Sequence, residues 1–87
     1  MNTFVITYDL VKQRDYVRLY EALKTFPNWG HVTESVWVVQ SPWSVVEVRN
    51  YLMKFMDGDD RIFVVQSARS AAWNNVLCPN DWLQSAA

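Results

Sequence analysis

Residues Thr3 to Asp9, TFVITYD, read as a buried strand that stops on a carboxylate, and helical spacing follows at once. A strand sends successive side chains to opposite faces. Phe4, Ile6 and Tyr8 therefore share one face, and Thr3, Val5, Thr7 and Asp9 the other. The bulky set suits a face covered by helices. The smaller, more polar set suits an open face or a seam between two copies. A carboxylate at the mouth of a strand-to-helix turn lies where α/β proteins gather ligands and catalytic groups.

The next segments limit the architecture further. Tyr16, Leu19, Tyr20, Leu23 and Phe26 form a stripe of period 3.6, which predicts a helix over roughly 13–26, ended by Pro27 and Gly30. GHVTESVWVVQS is β-rich but its alternation breaks, so it reads as two strands, about 30–36 and 37–41, with a bulge or bend near 35–37. Ser44 with Glu47 is a capping box for a second helix carrying Val45, Val48, Leu52, Phe55 and Met56 inward. Residues 57–60 read as a turn and RIFVVQ at 61–66 as the last strand. This βαβ(β)αβ order predicts an α+β, ferredoxin-like plait: an antiparallel sheet with two helices on one face. The chain of 87 residues reads as one domain with its core at about 3–66. The tail at 67–87 would pack on the core or on a partner, anchored by Trp73 and Trp82, with an added edge strand near 71–77 on its own sheet or the partner's.

Half the residues are apolar (51%) and five are Trp, more apolar surface than so small a monomer easily hides. A partner surface is expected, most simply a two-fold homodimer. The net charge of −1 does not suit a protein living on non-specific nucleic-acid contacts, so any such contact must come from a local patch. Cys78 is the one cysteine, the N-terminus does not read as a signal peptide, and no apolar run approaches a membrane span. A soluble, cytoplasmic protein is expected.

Asp9 is the strongest candidate for chemistry, as a metal ligand or catalytic carboxylate; its alternative is to cap the turn or the first helix. Arg14 and Arg18, one turn apart, form either a phosphate clamp or a solvated helix face. Ser35 either contacts substrate or caps the strand bend. His31 reads as a surface residue, 57–60 as a solvated turn without EF-hand spacing, and Cys78 as inert. The Trp residues read as core or interface anchors more readily than as base-stacking platforms.

VITYDL at 5–10, Arg14-Asp15-Tyr16, TESVWVVQ at 33–40 and DDRIFVV at 59–65, in this order, resemble the Cas2 family of CRISPR-associated proteins and its Cas2-like relatives. The likeness covers about residues 3–66. It implies a homodimer with facing sheets, in which Asp9 lies opposite its symmetry mate and holds Mg²⁺ or Mn²⁺ for hydrolysis of RNA or DNA in antiviral defence. It matches Ser35-Val36-Trp37 to the second-strand element, so Ser35 joins Asp9 as a catalytic candidate, with Arg14, Arg18 and Tyr8 as nucleic-acid contacts. Some relatives are instead non-catalytic dimeric scaffolds within larger complexes. Another related group, virulence-associated protein D, resembles a metal-independent ribonuclease, a role for which Tyr8 or Ser35 would supply the hydroxyl.

Overall fold

The computed structural model describes residues 1–12 and 15–86. Its order is β1 (Asn2–Asp9), α1 (Tyr16–Leu23), β2 (Asn28–Thr33), β3 (Val36–Ser41), α2 (Val45–Met53), β4 (Arg61–Gln66) and α3 (Asn80–Ala86). The four strands form one open antiparallel sheet in the order β2-β3-β1-β4. This α+β arrangement is compatible with a ferredoxin-like plait, extended by α3. No helix among the described residues is long and apolar enough to cross a membrane.

Strand parity divides the side chains as the first strand predicts. Phe4, Ile6 and Tyr8 are buried with Trp37 and Val39 of β3, Leu19 and Leu23 of α1, and Val48 and Leu52 of α2. The capping box of α2 is present: the Glu47 amide donates to Ser44 Oγ at 3.2 Å and the Ser44 amide to Glu47 Oε1 at 3.1 Å. α1 is shorter than the stripe suggests, because Asp15 serves as its N-cap and accepts from the Arg18 amide. Such a cap satisfies one of the orphan amides of the first turn.

Two boundaries differ from the sequence expectation. The alternation breaks at a turn over residues 34–35, so Val36 already belongs to β3 and β2 begins at Asn28. A register shift between His31 and Thr33 supplies the bulge, on the β2 side of the turn. The edge strand near 71–77 does not form on the chain's own sheet. Leu77 donates one backbone hydrogen bond to the Val32 carbonyl at 2.9 Å, and the chain then turns into α3.

The tail packs across the second face of the sheet, over β2 and β3. Leu83 is buried against Val32 and Val38, with Trp73, Val76 and Trp82 around them. Thr3 Oγ1 donates to the Ala86 carbonyl at 3.0 Å, and Arg69 donates to the Ser85 carbonyl at 2.7 Å. Gly30 lets the Trp82 indole lie directly on β2, since a Cβ at that position would overlap the ring. Gly30→Ala is therefore expected to cost about 1–3 kcal/mol through overpacking. Thermal melting checks this, together with the near-ultraviolet signal of Trp82. An unchanged midpoint would mean that the tail does not dock on Gly30.

Candidate functional site

Three elements end at the same edge of the sheet. Asp9 closes β1, the 34–35 turn joins β2 to β3, and Arg61 opens β4, where it stands opposite Asp9 in the strand register. Tyr16, the first residue of α1, comes in above them. Tyr8, Asp9, Tyr16, Ser35 and Arg61 line one open cleft of about 390 Å³. A smaller hollow of about 130 Å³ adjoins it, where Thr7 and Phe63 flank the same Asp9–Arg61 pair. Two sequence candidates far apart in the chain, Asp9 and Ser35, thus share one site.

The position of Ser35 follows from what holds its turn. The Glu34 carbonyl accepts from the buried Tyr8 hydroxyl at 3.2 Å and from His31 Nε2 at 2.9 Å, with the Tyr20 hydroxyl at 3.5 Å. A carbonyl only accepts, so His31 carries a proton on Nε2. The imidazole stacks on the Trp37 indole, with centroids 4.3 Å apart and planes 13° from parallel. His31 is thus a clamp on the turn, which its place at the start of a β-rich segment did not reveal.

The loop after Asp9 has its own fastening. Asp60 accepts from the Val11 amide through Oδ1 and from the Asp57 amide through Oδ2, both at 2.8 Å. The acidic run at 57–60 is a turn, as its spacing suggests, and its last carboxylate ties the loop leaving β1 to the turn entering β4. Sequence spacing gave no sign of this non-local bond. Lys12 and Asp59 add an exposed ion pair at 2.9 Å, of a kind that contributes little.

Asp9 itself is exposed, makes no ion pair among the described residues, and does not cap α1, whose cap is Asp15. The remaining candidates are placed differently. Tyr8 contributes to the cleft wall, but its hydroxyl points into the core, accepting from Trp37 Nε1 at 3.2 Å while donating to Glu34. Burial, followed by the neighbouring Tyr20 hydroxyl, pushes the phenol well above its ordinary range. It stays protonated and cannot serve as a base at neutral pH. Arg18 donates to the Lys54 carbonyl at 3.0 Å, lies over the Phe55 ring and lines a separate hollow with Asp57 and Asp60. Arg14 lies outside the described residues. Arg61 is therefore the described cation that lines the Asp9 cleft, a residue the sequence reading did not single out. Cys78 is in the tail packing, where burial pushes its thiol up, consistent with an unreactive side chain.

The divalent ion implied by the resemblance meets a poor donor set in one chain. Asp9 is the one carboxylate lining the cleft, and Arg61 faces it across the strands. No group of three or more His, Cys, Asp or Glu residues able to hold an ion occurs among the described residues. Divalent cations take several oxygen ligands and keep carboxylates close. The residues of a single copy do not fit such an ion. What the cleft does offer is a lining that includes one carboxylate residue, one arginine and the hydroxyl-bearing Ser35 and Tyr16. No family model matches the chain, and no solved structure matches it.

Proposed function

We propose that the chain is a Cas2-like plait that works as a homodimeric endonuclease on RNA or DNA phosphodiesters, in antiviral defence or nucleic-acid processing. One observation carries this reading: Asp9, Ser35, Tyr16 and Arg61 line a single cleft at the end of β1. The planar Arg61 guanidinium suits two oxygens of a phosphodiester. Hydroxyls of Ser35 and Tyr16 donate to the same group, and Asp9 accepts the proton of the attacking water or hydroxyl. The apolar surface left outside the core on the second face supports a second copy: Phe63 is 63% exposed and Val65 41%. The tail covers β2, β3 and the Thr3–Val5 part of β1 on the second face, so a seam between facing sheets would fall on β4 and the Thr7–Asp9 end of β1. Mg²⁺ or Mn²⁺ enters this proposal only at the level of the dimer, where the Asp9 of a second copy adds the carboxylate that one chain lacks.

The second reading is a non-catalytic dimeric adaptor within a larger complex. It is favoured by the lone carboxylate facing Arg61 and by the same exposed apolar residues. A cleavage assay separates the two. Single-stranded RNA and double-stranded DNA are incubated with wild type and Asp9→Asn, with Mg²⁺, with Mn²⁺ and with chelator, after the oligomeric state of each protein is measured. Cleavage by wild type, lost in Asp9→Asn, supports the nuclease; loss with chelator as well assigns an ion to the dimer. A folded wild-type dimer that cleaves nothing overturns the nuclease in favour of the adaptor.

A further inference from the structure

The tail does not fill the face that it covers. Between residues 67–73 and the sheet lies a pocket of about 190 Å³, open to solvent on one side, floored by Val5, Val36 and Val38 and walled by Trp73 and Leu83. Val5 and Val36 remain only half-buried beneath the tail. Of the polar side chains at the margin, Thr3 and Ser67 are engaged, and Ser70 lies on the exposed tail. Thr3 Oγ1 donates to the Ala86 carbonyl and accepts from Gln40 at 3.2 Å, while Ser67 Oγ accepts from the Arg69 amide at 2.9 Å. No buried side-chain nitrogen or oxygen among the described residues lacks a partner.

We propose that this pocket binds a small neutral apolar molecule of one or two fused aromatic rings. Its size and lining choose the ligand. Isopropyl, isobutyl and indole groups supply most of its walls. Water resting on an apolar lining of this kind lacks the two to four polar partners that would hold it in place, so it is readily displaced by an apolar ligand. No Lys, Arg, Asp or Glu lines it, so a charged ligand would lose its hydration without an ion-pair partner. A peptide strand would leave its own amides and carbonyls unpaired there. A neutral ring loses nothing of this kind, displaces poorly held water and gains dispersion contacts with the lining. The site is separate from the Asp9 cleft, at the other end of β1. Its occupancy ties the tail to the sheet, because a ligand that binds only the folded arrangement stabilises it by mass action.

The test uses the full chain with benzene and naphthalene as probes and benzoate as the charged comparator. Methyl resonances of valine and leucine, and the thermal midpoint, are followed during titration. The expected result is a saturable shift confined to Val5, Val36, Val38 and Leu83, with a rise in midpoint, and no such shift with benzoate. Ala72→Leu and Ala71→Leu add an isobutyl group at two lining positions on the exposed tail. At least one folded variant is expected to lose the benzene response. Absence of a saturable response in wild type overturns the proposal. So does an equal response to benzoate, or full retention of benzene binding by both filled variants.

Discussion

Trp37→Ala is expected to destabilise the protein by about 3–5 kcal/mol, the range for truncating a large buried aromatic side chain. Domains of this size have on the order of 4–13 kcal/mol in total, so the variant would be partly or wholly unfolded at 37 °C. The indole is 1% exposed and donates to the Tyr8 hydroxyl. It packs against Tyr20 with centroids 5.2 Å apart and Trp29 at 5.6 Å, and it is the platform on which His31 stacks. Its loss therefore opens a cavity, strips the buried Tyr8 hydroxyl of its donor and loosens the clamp on the 34–35 turn. Trp37→Phe keeps most of the ring and loses the N–H, with an expected cost of about 1–3 kcal/mol for the unsatisfied hydroxyl and the smaller volume. Urea unfolding followed by far-ultraviolet circular dichroism gives both numbers. A loss under about 1 kcal/mol in Trp37→Ala would mean that the aromatic cluster does not support this end of the sheet.

Asp9→Asn is expected to reduce phosphodiester cleavage by about 10²–10⁴-fold, the usual contribution of a positioned acid or base. The exchange keeps shape and removes the charge. Because Asp9 is exposed and makes no ion pair among the described residues, the fold should not change, and the melting midpoint should stay within a few degrees of wild type. Arg61→Ala complements it from the other side of the cleft. Losing the guanidinium should weaken substrate binding, appearing mainly as a higher KM, with a further drop in kcat where the arginine stabilises developing phosphoryl charge. Wild-type rates in both variants, with folding intact, would remove this cleft from the chemistry.

Local signals were enough for much of the scaffold. The parity of TFVITYD placed Phe4, Ile6 and Tyr8 toward the helices, the Ser44–Glu47 pair marked the start of α2, and RIFVVQ coincides with β4. Each of these rests on neighbours in sequence. What escaped depends on distant residues. Arg61 stands across from Asp9 only once β4 takes its register on β1. The Asp60 bond to Val11 joins two loops 49 residues apart. α3 is one short helix with two buried residues, Leu83 and Ala86, too little for a period to emerge from a polar tail. The 34–35 turn was felt as a break in alternation, but Val36 and Val38 read equally well on either side of it. Of the residues that line the cleft, the sequence points to Asp9 and Ser35, whereas Tyr8, expected as a nucleic-acid contact, turns its hydroxyl into the core. Sequence proximity to Asp9 points to Arg14 and Arg18 as phosphate partners, whereas in the fold Arg18 turns toward the Lys54 carbonyl.

The central claim is that Asp9, Ser35 and Arg61 form one phosphodiester site. Its most direct test is a nuclear magnetic resonance titration of the protein with a short phosphorothioate oligonucleotide, in wild type and in Arg61→Ala. Saturable shifts at residues 8–11, at Ser35 and at the Arg61 side chain, weakened at least tenfold in the variant, are the predicted result. Saturation elsewhere, with residues 8–11 and Ser35 unmoved and affinity equal in the variant, would contradict it.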